Sequence, residues 1–256
     1  MEALPSFDLE GRVALVTGAA RGLGRSIAAA LAHAGADVAL GLHSLAGADE
    51  AISAVESQGR RCLPLAMDML DLDQVRAAVV AAAGQLGRLD ILVNNVGVGP
   101  ENLAVDVNVD DFDYTVAVNL KGTFFASQAA ARLMIPQGYG RVINLSSQAG
   151  FVALPTESVY CMTKAAITHL TKCLAVEWGP HGITVNGVAP TFIRTPGTGP
   201  ALSDPAFERD VTERIAALHR IGEPVEVAGA VVFLASPAAS LITGETILID
   251  GGWTAR

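Results

Sequence analysis

Arg12-Val13-Ala14-Leu15-Val16-Thr17-Gly18-Ala19-Ala20-Arg21-Gly22-Leu23-Gly24 is the stretch whose reading decides the fold. Residues 12–17 are apolar and β-rich, which predicts a buried strand. Residues 22–34 predict a helix with Ile27, Leu31 and Ala34 on one face. The glycines between them allow a tight turn and let the backbone approach a pyrophosphate. The first N–H groups of the helix and its positive dipole end face the same point. Taken alone, the turn is read equally well as a plain connection whose glycines serve packing.

The pattern repeats outward from this unit. Strands are expected at residues 37–42, 61–67, 89–94, 141–145, 183–188 and 246–250. Helices are expected at 47–57, 72–86, 109–135, 157–178 and 224–235. Strands that are apolar throughout, each followed by a helix, predict a parallel sheet covered on both faces. Right-handed crossovers then make it an α/β, doubly wound Rossmann sheet. No composition shift or repeat marks a second domain, so residues 1–256 are expected to form one. Residues 190–222 are the one long irregular insertion, and such loops are usually binding loops.

Composition bounds the function. Of 256 residues, 51% are apolar and 17% charged, too apolar for a disordered chain. The formal charge of −9 disfavours a nucleic-acid partner. No apolar run approaches the roughly 18 residues that span a bilayer, so no membrane partner is expected. The opening residues carry Glu2, Asp8 and Glu10 with no basic segment, so a cytoplasmic location is expected. Cys62, Cys161 and Cys173 show no CxxC spacing and the histidines no HExxH, so neither a disulfide framework nor a metal site is expected.

In dinucleotide folds an acid at the end of the second strand binds the adenosine ribose diol. Here that edge reads Leu40-Gly41-Leu42-His43-Ser44, with no acid. Arg21, His43 and Ser44 supply donors that suit a 2′-phosphate better. NADP(H) is therefore favoured as cofactor, with NAD(H) left open.

Tyr160-Cys161-Met162-Thr163-Lys164 places a phenol and an amine four residues apart on one helix face. A nearby ammonium would favour phenolate and lower the tyrosine pKa toward working pH. This spacing is common by chance, but its partners are not. Ser147 follows the fifth strand, Asn119 sits inside the long helix before it, and Asn94-Asn95-Val96-Gly97 ends the fourth strand.

Together these residues resemble the short-chain dehydrogenase/reductase family, in order and at family-like spacing from Gly11 to Trp253. The resemblance implies an NAD(P)-dependent oxidoreductase with a seven-stranded parallel sheet, acting between a secondary alcohol and its ketone. It implies Tyr160 as general acid/base and Lys164 as the residue that tunes it and binds the nicotinamide ribose. Ser147 would hydrogen-bond the substrate oxygen. Asn119, by kinking its helix, would hold a water that links Lys164 to solvent. Gly18, Arg21, Gly22, Leu23 and Gly24 would wrap the phosphates. Asp68 would meet the adenine amino group with Met69 beside it, and Asn95 would lie along the adenosine. Pro190, Ile193 and Thr195 would line the carboxamide. A homotetramer is the family's usual assembly.

Two departures stand out: Thr191 follows Pro190 where the family usually has glycine, and Val96 replaces the commoner alanine. By the same analogy, residues 98–103, 148–157 and 191–222 would surround a small carbonyl or alcohol substrate. The Phe7-Asp8-Leu9-Glu10-Gly11 opening and Asp250-Gly251-Gly252-Trp253 ending resemble the sugar and polyol branch, including gluconate 5-dehydrogenase and 2-deoxygluconate 3-dehydrogenase. Residues 98–103 hold no arginine to clamp a carboxylate, which turns the expectation toward neutral ketoses and polyols. Two alternatives stay open: a reductase of the 3-oxoacyl-carrier-protein type, and a dinucleotide sensor that does no chemistry.

Overall fold

The computed structural model describes residues 4–255, so Glu2 of the acidic opening lies outside the described residues. In chain order the elements are β1 (Val13–Thr17), α1 (Gly22–His33), β2 (Asp37–Leu42), α2 (Asp49–Glu56), β3 (Cys62–Ala66), α3 (Leu72–Leu86) and β4 (Ile91–Asn94). There follow α4 (Val109–Val116), α5 (Thr123–Gln137), β5 (Gly140–Leu145), α6 (Ser158–Trp178) and β6 (Ile183–Pro190). Last come α7 (Gly199–Leu202), α8 (Pro205–Arg214), α9 (Pro224–Ala235) and β7 (Thr246–Ile249). The strands form one seven-stranded sheet in the order β3-β2-β1-β4-β5-β6-β7. Every pairing is parallel.

The period-two alternation of a strand sends neighbouring side chains to opposite faces. Ala14 and Val16 of β1 therefore join one apolar layer with Ile27 and Leu31 of α1 and Val227 and Val231 of α9. Val13 and Leu15 join the other, with Val75 and Val79 of α3 and Ala130 and Met134 of α5. Burial on both faces is why these strands read as unbroken apolar runs.

Two expectations need correction. The helix expected at 109–135 is not continuous. Residues Ala117–Gly122 form a π turn between α4 and α5, the kind of widened turn that collects at functional sites. The chain then runs to Gln137, past a proline in its last turn. The insertion at 190–222 is also not irregular. It folds into α7 and α8, where Leu202, Val211 and Ile215 build a small core with Ile221 and Trp253. Its charged residues face outward in i,i+4 fashion, as in Arg214 with Asp210 at 2.8 Å.

Sheet order reverses between β1 and β4, the switch point where α/β sheets leave a crevice at their carboxyl ends.

Candidate active site

The crevice collects the ends of β1, β4, β5 and β6. Beyond β1, Gly18 has φ +65°, which only glycine adopts without strain. A Cβ on Gly24 would stand 2.3 Å from the Gly18 carbonyl oxygen, so the turn closes only around glycine. Asn95 Nδ2 donates to the Thr17 and Gly18 carbonyls at 2.9 and 3.2 Å. That amide clamps the turn rather than lying free along a ligand. Arg21 holds the N-cap position of α1 in extended conformation, and its side chain caps nothing. The first N–H groups of α1 are left to meet an anion. A pyrophosphate fits this cradle.

His43 and Ser44 stand exposed just past β2, on the same edge as Arg21. His43 Nδ1 lies 3.7 Å from an Asp68 carboxylate oxygen, and the other Asp68 oxygen accepts the Leu70 N–H at 2.9 Å. The Met69 side chain is buried against Gly122, in the same core layer as Met67, which leaves its main chain to meet a ligand.

Tyr160 and Lys164 lie one turn apart on α6, beside Ser147 at the end of β5. Ser147 Oγ donates to Gln148 Oε1 at 2.7 Å and accepts the Ala149 N–H at 3.1 Å. Lys164 is buried and its Nζ donates to the Leu145 carbonyl at 2.7 Å. The same amine sits 5.5 Å from the Tyr160 ring centroid. Asn119, wholly buried in the π turn, brackets Val98. Its Oδ1 accepts the Val98 N–H at 2.9 Å and its Nδ2 donates to the Val98 carbonyl at 2.8 Å. The same Nδ2 also donates to Thr163 Oγ1 at 3.0 Å. Asn94 ties β4 to its neighbours, donating to Asn144 Oδ1 and Ser127 Oγ at 2.8 Å each.

Two cavities meet at Tyr160. One, of about 200 Å³, runs from Leu23 and Asn95 past Lys164 to Pro190, Ile193 and Thr195. The other, of about 220 Å³, holds Ser147, Gln148, Leu154, Glu157 and Phe192. Thr191 lines both, and its Oγ1 is buried with no hydrogen-bond partner among the described residues. An orphaned hydroxyl between the cavities suits a polar group of a nicotinamide or substrate there. The residues present therefore fit a bound dinucleotide.

A family model for the short-chain dehydrogenases, described as "Enoyl-(Acyl carrier protein) reductase" (adh_short_C2), matches residues 18–254. The chain belongs to the short-chain dehydrogenase/reductase family. It is 39% identical to D-threitol dehydrogenase of Mycolicibacterium smegmatis, over 98% of this chain and 95% of that protein. It is 41% identical to a 3-oxoacyl-[acyl-carrier-protein] reductase of Staphylococcus aureus, over 93% of this chain and 96% of that one. The crystal structure of gluconate 5-dehydrogenase from Burkholderia cenocepacia with NADP and tartrate superposes with TM-score 0.94 at 36% identity, covering 100% of both chains. The chain is thus an oxidoreductase of secondary alcohols and their ketones.

In this short-chain dehydrogenase/reductase, burial sets the electrostatics of the site. It pushes the Tyr160 phenol up to about 12, opposed in part by the Ser147 hydroxyl, while the Glu157 charge adds to the rise. It pulls the Lys164 ammonium down to about 8. Burial is the largest influence on the phenol and works against the lowering expected from the amine. Glu157, the last residue of the 148–157 segment expected around the substrate, lines the cavity beside Tyr160.

Proposed function

We propose that this dehydrogenase acts on small neutral polyols and ketoses with NADP(H) as preferred cofactor. The observation that carries the reading is the cavity beside Tyr160. At about 220 Å³ it takes a short sugar alcohol, and Ser147, Gln148 and Glu157 offer polar contacts for several hydroxyls. The names of relatives support it: one acts on D-threitol, and a gluconate 5-dehydrogenase holds NADP. Arg21, with His43 and Ser44 exposed at the same edge, supports the 2′-phosphate.

Gly18, Gly22, Leu23 and Gly24 would hold the pyrophosphate, and Lys164, Pro190, Ile193 and Thr195 the nicotinamide end. The bound nicotinamide supplies or accepts the hydride. Ser147 orients the reacting oxygen. Tyr160 gives that oxygen a proton in reduction and takes it back in oxidation. Lys164, one turn away, places a positive charge where phenolate develops. The Asn119 side chain is spent on Val98 and Thr163, so any part of this residue in a water relay would belong to its main chain in the π turn. A homotetramer in the cytoplasm completes the reading.

The test is a panel of tetritols, pentitols, ketoses, gluconate and acyl-thioester ketones, scored by kcat/KM with both cofactors. The highest values are expected for neutral polyols and ketoses. Tyr160→Phe is expected to remove on the order of a thousandfold of kcat on the best of them, with cofactor affinity retained. A second reading, the 3-oxoacyl thioester reductase, is favoured by the 41% identity to the staphylococcal enzyme, and thioesters heading the panel would establish it instead.

A further inference from the structure

We propose that Glu157, with Glu101 behind it, makes the substrate cavity select neutral molecules against carboxylated ones. The inference rests on the polyol reading above and deepens it. Glu157 lines the cavity beside Tyr160 and also an adjoining outer cavity of about 300 Å³ that opens past Glu101. It stands at the N-cap position of α6, where a carboxylate ordinarily accepts helix N–H groups, yet it caps nothing. Its carbonyl accepts the Cys161 N–H at 2.8 Å, but no described group donates to its carboxylate. A half-buried, unpartnered carboxylate beside the reacting oxygen therefore faces the space a substrate fills.

Among the described residues that line these two cavities the one cation is Arg214, whose Nε is held by Asp210 at 2.8 Å, and Asp210 lines the same wall. Glu101, Glu157 and Asp210 thus outnumber one arginine. Burial and the Glu101 charge already raise the Glu157 pKa. An incoming carboxylate must either face this charge or force a proton onto it, and both are unfavourable. A hydroxyl-rich neutral substrate brings O–H donors to an acceptor-only group. Discrimination thus comes from repelling the wrong ligand as well as binding the right one.

Acetoacetate and acetoacetamide have the same shape and differ in charge, and both carry a ketone, so reductive kcat/KM on this pair isolates the effect. The wild type is expected to favour the amide by at least about tenfold. Glu157→Gln is expected to cut that preference several-fold, and Glu101→Gln, at an exposed position, to cut it by a smaller factor. Equal preference in wild type and both variants overturns the proposal, as does a wild type that favours acetoacetate. A panel in which no polyol or ketose reacts, while the ketone pair is still discriminated through Glu157, sinks the polyol reading and leaves the charge selection standing.

Discussion

Lys164 Nζ donates to the Leu145 carbonyl at 2.7 Å, joining the middle of α6 to the end of β5. The residue is 3% exposed, so its charge has almost no contact with water. The bond fixes the amine beside Tyr160, while burial makes the amine easier to deprotonate.

The first prediction concerns pH. The Lys164 pKa falls from 10.5 to about 8 on folding. Below the folded value the amine is protonated in both states and contributes no pH dependence. Between the two values only the unfolded chain keeps the proton, so stability rises with pH. Measured against Lys164→Met, the wild type should gain on the order of 3 kcal/mol between about pH 8 and pH 10.5. Urea unfolding of both proteins across that range checks it. A constant difference would mean the buried amine keeps an ordinary pKa.

Asn119 is expected to matter first for structure. Asn119→Ala leaves both the N–H and the carbonyl of Val98 without their partners. Unfolding free energy should fall by about 2 kcal/mol. Because Val98 lines the substrate cavity, KM should rise as well. Denaturant melts together with KM on the best substrate are the measurements. An unchanged melt would show that the π turn holds without this side chain.

A third prediction tests the proposed part of Arg21 in cofactor choice. Arg21→Ala should raise KM for NADP(H) by about tenfold, the loss of one charge-assisted contact to phosphate, and leave KM for NAD(H) nearly unaltered. Initial rates with each cofactor at saturating substrate decide the matter. A parallel rise for both would place Arg21 on the pyrophosphate they share. Lower KM for NAD(H) in the wild type would overturn the reading of the second strand.

Much of the site was legible because its signals are local. The strand, glycine turn and helix at 12–34 lie in one stretch, and α9 begins and ends at the expected residues 224 and 235. A kink at Asn119 was implied by the resemblance, but its form as a π turn was hidden because residues 117–122 keep helical character. α7 and α8 were hidden for a related reason. Prolines and glycines broke the periodicity, while the apolar residues that hold them, Trp253 among them, come from elsewhere in the chain.

The sequence by itself determined the parallel sheet, the glycine turn and the pairing of Tyr160 with Lys164. The sheet and the pairing rest on backbone periods of two or 3.6 residues and the turn on glycine at positive φ, and all three act over a few positions. Only the tertiary structure decided how the polar atoms are spent. Lys164 meets a carbonyl 19 residues away, Asn119 a backbone 21 away and Asn95 a turn 78 away. Packing alone brings such partners together. Packing also sets the dielectric, which is why the direction of the Tyr160 and Lys164 pKa values followed burial rather than their spacing along a helix.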